Sequence, residues 1–174
     1  MTDTPSVSCD LCVIGSGMAG MSAALFAAQQ GLSTVMVGRT GEIIFATGLL
    51  DLMAVHPVEK GAIWDDPWAG IALLAKDLPR HPYARLPAAT IRTAFDALIA
   101  FLESMRLPYT GHPDRNSAVL TSVGTFKPTY RVPLTMWAGI EVCRRKAPCL
   151  LVDIQGLKGF SALQIAAMVG SDWP

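Results

Sequence analysis

Charge is scarce in this chain. Asp, Glu, Lys and Arg make up 16% of its 174 residues, and 14 cations balance 14 carboxylates. A net charge of zero gives no basic footprint for nucleic acid and no broad field for an anionic partner. Aromatics are also few, at 7%, and there are 3 histidines. Cysteine is limited to Cys9, Cys12, Cys143 and Cys149. Cys9-x-x-Cys12 looks like half a metal site, but it falls in a predicted strand, where residues three apart point to opposite faces. Cys143 and Cys149 do not complete a zinc spacing. The expectation is four buried, reduced thiols and no metal. No basic region or apolar signal core stands in Met1–Asp10, so the reading is no secretory leader and a cytoplasmic location. Leu11 to Gly38 carries no charge, yet glycines and the Gln29-Gln30-Gly31 stop divide it into short pieces, which excludes a membrane span. What the chain has instead is apolarity, with a mean hydropathy of +0.38.

Much of that apolarity sits in a strand–turn–helix pattern. Leu11-Cys12-Val13-Ile14 reads as a strand, and Gly15, Gly17 and Gly20 follow in G-x-G-x-x-G spacing. An alanine-rich helix runs from Met18 to Gln30, and Gly31 caps its end. A second strand, Leu32 to Val37, completes a βαβ unit. Each glycine has a physical task. Gly15 turns the strand sharply, Gly17 lets a pyrophosphate approach the backbone, and Gly20 lets helix and strand pack closely. The start of the helix offers unpaired N–H groups and a positive dipole end to a phosphate. Ser16, Met18 and Ala19 lie within this turn. One part of the fingerprint is missing: where an acidic side chain would hold the adenosine ribose, the chain has Gly38 followed by Arg39. A ligand with a phosphate but no adenosine, such as FMN, does not need that acid; FAD is the alternative.

Further along, Ile43 to Met53 is apolar on both sides of Thr47-Gly48. That step marks either close approach to something flat or a bend in the core. Asp65-Asp66-Pro67 starts a helix that runs to Asp77 and is stopped by Pro79. His81-Pro82-Tyr83 reads as an extended link. Ala88 to Met105 is an amphipathic helix whose apolar face holds Ile91, Ala94, Phe95, Leu98, Leu102 and Met105. Residues 108–135 carry proline and glycine between short β-prone pieces, Ala118–Thr121 and Thr125–Lys127. The cations there, Arg115, Lys127 and Arg131, read as ordinary solvated charges, with a phosphate as the other possibility. Leu150 to Ile154 reads as a buried strand, followed by a glycine turn and a helix from Phe160 to Val169. The fold class is α/β: a Rossmann-like βαβ with a small β-rich insert, shorter than a full doubly wound domain. Its expected divisions are 1–58 for nucleotide binding, 59–107 helical, 108–135 the insert and 136–174 a second strand–turn–helix unit.

Several of these segments, taken in order, resemble a known family. They are the Gly15–Gly20 turn, Val37-Gly38-Arg39-Thr40, Phe45-Ala46-Thr47-Gly48-Leu49-Leu50-Asp51-Leu52-Met53 with His56-Pro57, His81-Pro82-Tyr83, Val123-Gly124-Thr125-Phe126 and Val152 to Phe160. The chain resembles the B subunit family of anaerobic glycerol-3-phosphate dehydrogenase, whose members are more than twice as long. The resemblance implies flavin-dependent oxidation of sn-glycerol 3-phosphate to dihydroxyacetone phosphate, with electrons passing to a quinone. It implies FMN, a flavin-bearing A subunit, a membrane-associated iron–sulfur C subunit, and a position on the inner face of the membrane through those partners. Cofactor contacts are expected at Gly15, Ser16, Gly17, Met18, Ala19, Gly20, Arg39, Thr47 and Gly48. His56, His81 and His112 are more readily structural than catalytic, and His56 is the candidate base because it follows the most specific segment. Two other readings stand beside this one. The first is a non-catalytic scaffold that docks a flavin-bearing partner, and the second an unrelated NAD-binding domain.

Overall fold

The computed structural model describes residues 6–39, 46–170 and 173. Thr40, Ile43-Ile44-Phe45, the first five residues and the closing Ser171, Asp172 and Pro174 lie outside the described residues. Two compact units divide the chain, one ending at Thr47 and the other beginning at Gly48.

In the first unit β1 (Leu11–Ile14) and β2 (Thr34–Val37) pair in parallel, with Leu11 opposite Thr34 and Ile14 opposite Val37. Helix α1 (Met18–Gln29) connects them. A parallel pair requires such a crossover, because a tight turn joins only antiparallel neighbours. Gly31, at φ +80°, ends the helix in the left-handed region. The Asp10 carboxylate accepts the Ser33 N–H at 2.8 Å, which fixes where β2 begins. A Cβ on Gly20 would lie 3.5 Å from a Val13 methyl, so α1 covers the Val13 face. The alternation of strand side chains puts Cys12 and Ile14 on the other face, where Ile14 is 87% exposed. Cys9 stands before β1 rather than in it, and both Cys12 and Cys149 are exposed. The expectation of four buried thiols is therefore corrected: the two-stranded sheet leaves the Cys12 face uncovered, and Cys149 lies in an irregular segment of the second unit.

The second unit is built on the segment after Gly48. Leu50, Leu52 and Met53 are buried, and Leu50 bridges Arg131 in antiparallel fashion. Helix α2 (Pro67–Asp77) is capped by the Asp66 carboxylate, which accepts the Trp68 and Ala69 N–H groups. Helix α3 (Ala88–Ser104) follows. Of its expected apolar face, Ile91 is buried while Ala94 and Met105 are exposed. His81-Pro82-Tyr83 is not an extended link. Pro82–Ala84 forms a 3-10 turn in which His81 Nδ1 accepts the Tyr83 N–H. Two antiparallel pairs come next: β3 (Tyr109–Thr110) with β6 (Val132–Pro133), and β4 (Ser117–Leu120) with β5 (Phe126–Thr129). Helices α4 (Trp137–Arg145) and α5 (Ala162–Val169) complete the order.

One core cluster of this unit joins Leu52, Met53, Ile71, Leu74, Ile91 and Tyr130. Tyr130 sits edge-on to Trp68 and Phe95, at 5.7 and 5.3 Å between ring centres. Each such aromatic pair is worth about 0.5–1.5 kcal/mol beyond burial. Asn116 ties the core together, because its amide donates to the carbonyls of Met53 and Trp64. A second cluster joins Val119, Val132 and Ile140. The strand expected at Leu150–Ile154 does not form. The segment is irregular, and Leu150, Val152 and Ile154 are exposed. Strand-like composition needs a neighbour to pair with, and no described segment pairs with it.

Candidate nucleotide site

Gly15 leaves β1 at φ +114°, a conformation open to glycine and strained for other residues. Its N–H still donates to the Val37 carbonyl at 2.8 Å, so the turn begins within the sheet. A Cβ on Gly20 would come 2.0 Å from the Gly15 carbonyl oxygen. Glycine at position 20 is what lets the helix press onto the turn. Gly17 differs, because the space where its Cβ would lie is open. It stands at the N-cap of α1, offers no side-chain cap, and has no acidic residue after it in the first turn. The N–H groups of that turn and the positive end of the helix dipole are therefore left for an anion.

The end of β2 closes on this turn. Ser16 Oγ donates a short hydrogen bond to the Arg39 carbonyl. A Cβ on Gly38 would lie 2.8 Å from both the Ser16 nitrogen and its Oγ. Gly38 therefore takes the place of an acid for a steric reason, since Ser16 occupies the space that any side chain there would enter. Gly15, Ser16, Gly17, Met18, Ala19, Gly20 and Arg39 belong to one small neighbourhood. These residues fit the phosphate of a flavin. They do not supply the usual anchor for an adenosine ribose. Sequence reasoning identified the missing acid but not its cause, because Gly38 meets Ser16 only across the sheet.

Thr47 is exposed. Gly48, in the second unit, has φ +75°, and its carbonyl accepts the Tyr109 hydroxyl at 2.7 Å. A Cβ here would lie 3.5 Å from Pro133 and 3.9 Å from the Tyr109 hydroxyl, ordinary contact distances, so within the protein it is the positive φ that calls for glycine. His56 is buried, at 6% exposure. Its Nε2 lies 3.0 Å from the Asp77 carboxylate, and its carbonyl accepts the Trp64 indole N–H. Two of the three cations read as solvated are engaged instead. Lys127 pairs with Asp51. Arg131 stacks over the Tyr130 ring at 3.9 Å and donates to the His112 and Tyr130 carbonyls. Among the described residues no cluster of three or more His, Cys, Asp or Glu could hold a metal ion. None of the described helices is long and apolar enough to cross a membrane.

A glycine turn in a βαβ unit, with an uncapped helix start, sets the class as a nucleotide-binding α/β protein. Residues 10–160 match the family described as FAD binding domain, and the chain belongs to that family. It binds a flavin as its cofactor class. Among curated proteins it is similar to one from Halobacterium salinarum that is named as the probable B subunit of anaerobic glycerol-3-phosphate dehydrogenase. The two are 34% identical over 95% of this chain and 37% of the relative. It is also 30% identical to the B subunit of anaerobic glycerol-3-phosphate dehydrogenase from Aliivibrio fischeri, over 87% of this chain and 34% of that protein. The counterpart in Pectobacterium carotovorum is 27% identical, over 90% and 37%. The chain thus spans about a third of the length of these relatives. No solved structure matches it.

Proposed function

We propose that this chain is the flavin-binding part of an enzyme complex that oxidises sn-glycerol 3-phosphate to dihydroxyacetone phosphate. It would act with a flavin-bearing A subunit and a membrane-associated iron–sulfur C subunit that deliver the electrons to a quinone. The observation that carries the reading is the uncapped α1 start at Gly17 in a chain of the FAD-binding family. FMN is the proposed cofactor, with FAD the alternative. Its support is Gly38, packed so closely on Ser16 that no acid can stand there to hold a ribose. The proposed location is the cytoplasm, peripheral to the membrane through the partner subunits.

Bound at the turn, a flavin supplies a two-electron acceptor for the hydride that leaves the substrate C2. The chain's own residues hold and orient. Backbone N–H groups of the turn, from Ser16 through Ala19, would hold the flavin's phosphate. Ser16, anchored on Arg39, keeps the turn open, and Gly20 keeps it seated on the helix. Thr47 and Gly48 are proposed to lie along the cofactor. A base must take the hydroxyl proton. His56 is the candidate for that role, and since Asp77 engages Nε2, Nδ1 is the atom to accept it. In the second reading the chain is a scaffold that docks a flavin-bearing partner. The two-stranded sheet and its exposed Ile14 face favour this reading.

Purification of the chain with its partner subunits, followed by mass spectrometry of the released cofactor, tests the proposal. FMN in stoichiometric amount is expected. FAD would overturn the argument from Gly38. A colourless chain that still captures the A subunit would establish the scaffold in place of the flavin-binding reading.

A further inference from the structure

The chain reverses where helix α4 ends. Lys146 takes the left-handed conformation, at φ +50°. Its N–H donates to the Cys143 carbonyl at 3.3 Å, and the Ala147 N–H donates to the Val142 carbonyl at 3.1 Å. This pair of bonds is the one that turns a chain back at a helix end, and Pro148, which follows, cannot resume the helix. The Trp173 indole N–H donates to the Ala147 carbonyl at 3.0 Å and braces the reversal. Cys143 stands in the last turn of α4, and Cys149 lies on the chain that leaves the reversal. Both line one cavity of about 440 Å³, walled by β4, α4 and Trp173. Cys143 is partly buried and Cys149 exposed, and both are free thiols. Burial raises the Cys143 thiol above its ordinary range, and the Cys149 thiol adds to the rise. An influence of that kind weakens with distance, in keeping with two side chains on one cavity.

We propose that Cys143 and Cys149 form a reversible dithiol–disulfide pair, oxidised by low-molecular-weight disulfides such as oxidised glutathione. Cys149 is exposed and reacts first. Its thiol gives a proton to solvent, and the thiolate attacks the glutathione disulfide. One glutathione leaves as thiolate, and a mixed disulfide remains on Cys149. Cys143 then gives its proton to solvent and attacks the Cys149 sulfur, which expels the second glutathione. The two protein thiols lose two electrons and two protons in all, and one glutathione disulfide becomes two glutathione thiols. Excess thiol runs the same exchange backwards. A disulfide needs its Cα atoms within about 7 Å. The stretch after Pro148 is irregular and has no strand partner among the described residues to hold it from that approach. Once formed, the bond ties this stretch to α4. Exposed disulfides are the labile ones, which suits a reversible pair. The inference goes beyond the flavin reading and does not rest on it.

The test treats the reduced, full 174-residue chain with oxidised glutathione at about pH 8, quenches with acid and maps the thiols by peptide mass spectrometry. A Cys143–Cys149 bond within one chain is expected, and dithiothreitol should reverse it. Its yield at a given glutathione ratio should be at least about tenfold higher in the folded chain than in urea, because the fold raises the effective concentration of one thiol at the other. In Cys143→Ser the mixed disulfide on Cys149 should accumulate about tenfold above wild type, since nothing resolves it. Glutathione on the exposed Cys12 of the first unit should be the same in both proteins. Hydrogen exchange on the peptide covering Lys146–Ile154 should slow when the bond forms. A lasting mixed disulfide on Cys149 of the wild type, a bond that joins two chains, or equal yields in urea and in buffer would overturn the proposal.

Discussion

Two helical glycines in this chain predict opposite outcomes for the same substitution. Gly20 lies in α1, where a Cβ would sit 2.0 Å from the Gly15 carbonyl oxygen and 3.0 Å from its carbon. Those are backbone atoms of the turn and cannot rotate aside. Relief requires α1 to move away from β1, an overpacking that costs up to about 3 kcal/mol. Alanine's better helix propensity returns about 1 kcal/mol. The net loss for Gly20→Ala is about 2 kcal/mol, or roughly 30-fold in the local opening equilibrium. Gly139 lies in α4 with open space where its Cβ would be, so Gly139→Ala gains about 0.5–1 kcal/mol. Trp64, Trp68, Trp137 and Trp173 all lie in the second unit. Tryptophan fluorescence during urea unfolding therefore reports that unit, while hydrogen exchange on peptides covering Leu11–Gln29 reports the first. Gly20→Ala should speed exchange across β1 and α1 without moving the fluorescence midpoint, and Gly139→Ala should raise that midpoint. Wild-type protection in Gly20→Ala would refute the close packing of turn and helix on which the cofactor argument rests.

Gly38→Glu restores the acid of the usual fingerprint, but its Cβ meets Ser16 at 2.8 Å. Flavin retention, measured by absorbance after gel filtration, should fall rather than shift towards FAD, and enhanced FAD retention would show that the corner has room. Asn116→Ala strips two hydrogen bonds from the carbonyls of Met53 and Trp64 and should cost about 2–3 kcal/mol; a urea midpoint equal to wild type would contradict this. Burial, with a smaller contribution from the Cys149 thiol, holds the Cys143 thiol above its ordinary range. A raised value leaves less thiolate at a given pH. Peptide-resolved alkylation at about pH 8 should accordingly label Cys143 more slowly than the exposed Cys12, and labelling at equal rates would count against the burial.

Local patterns were the legible part. Gly15, Gly17, Gly20 and the Asp66-Pro67 cap each act through atoms a few residues away, so strand, turn and helix starts could be read directly. His81-Pro82-Tyr83 misled because an X-Pro step fits an extended link and a 3-10 turn equally well until Nδ1 of His81 is seen to cap it. Leu150–Ile154 misled because β-prone composition reports a tendency to be paired and not the presence of a partner. Arg131 looked like a surface cation, since one carbonyl partner, on His112, lies 19 positions earlier, and its stacking on the neighbouring Tyr130 ring depends on side-chain rotamers that spacing rules do not specify.

The sequence by itself determined that a βαβ unit with a glycine turn runs from Leu11 to Val37 and that no acid closes its second strand. Both follow from backbone preferences and short-range hydrogen bonds, which are encoded within a few residues. Only the tertiary structure decided why the acid is absent, because Gly38 meets Ser16 22 positions earlier. It alone placed the Leu50–Met53 segment in a core with Tyr130 and Asn116. It also brought Cys143 and Cys149 to one cavity with β4 and Trp173. Contacts between distant segments depend on how the whole chain packs, and no local window of residues specifies them.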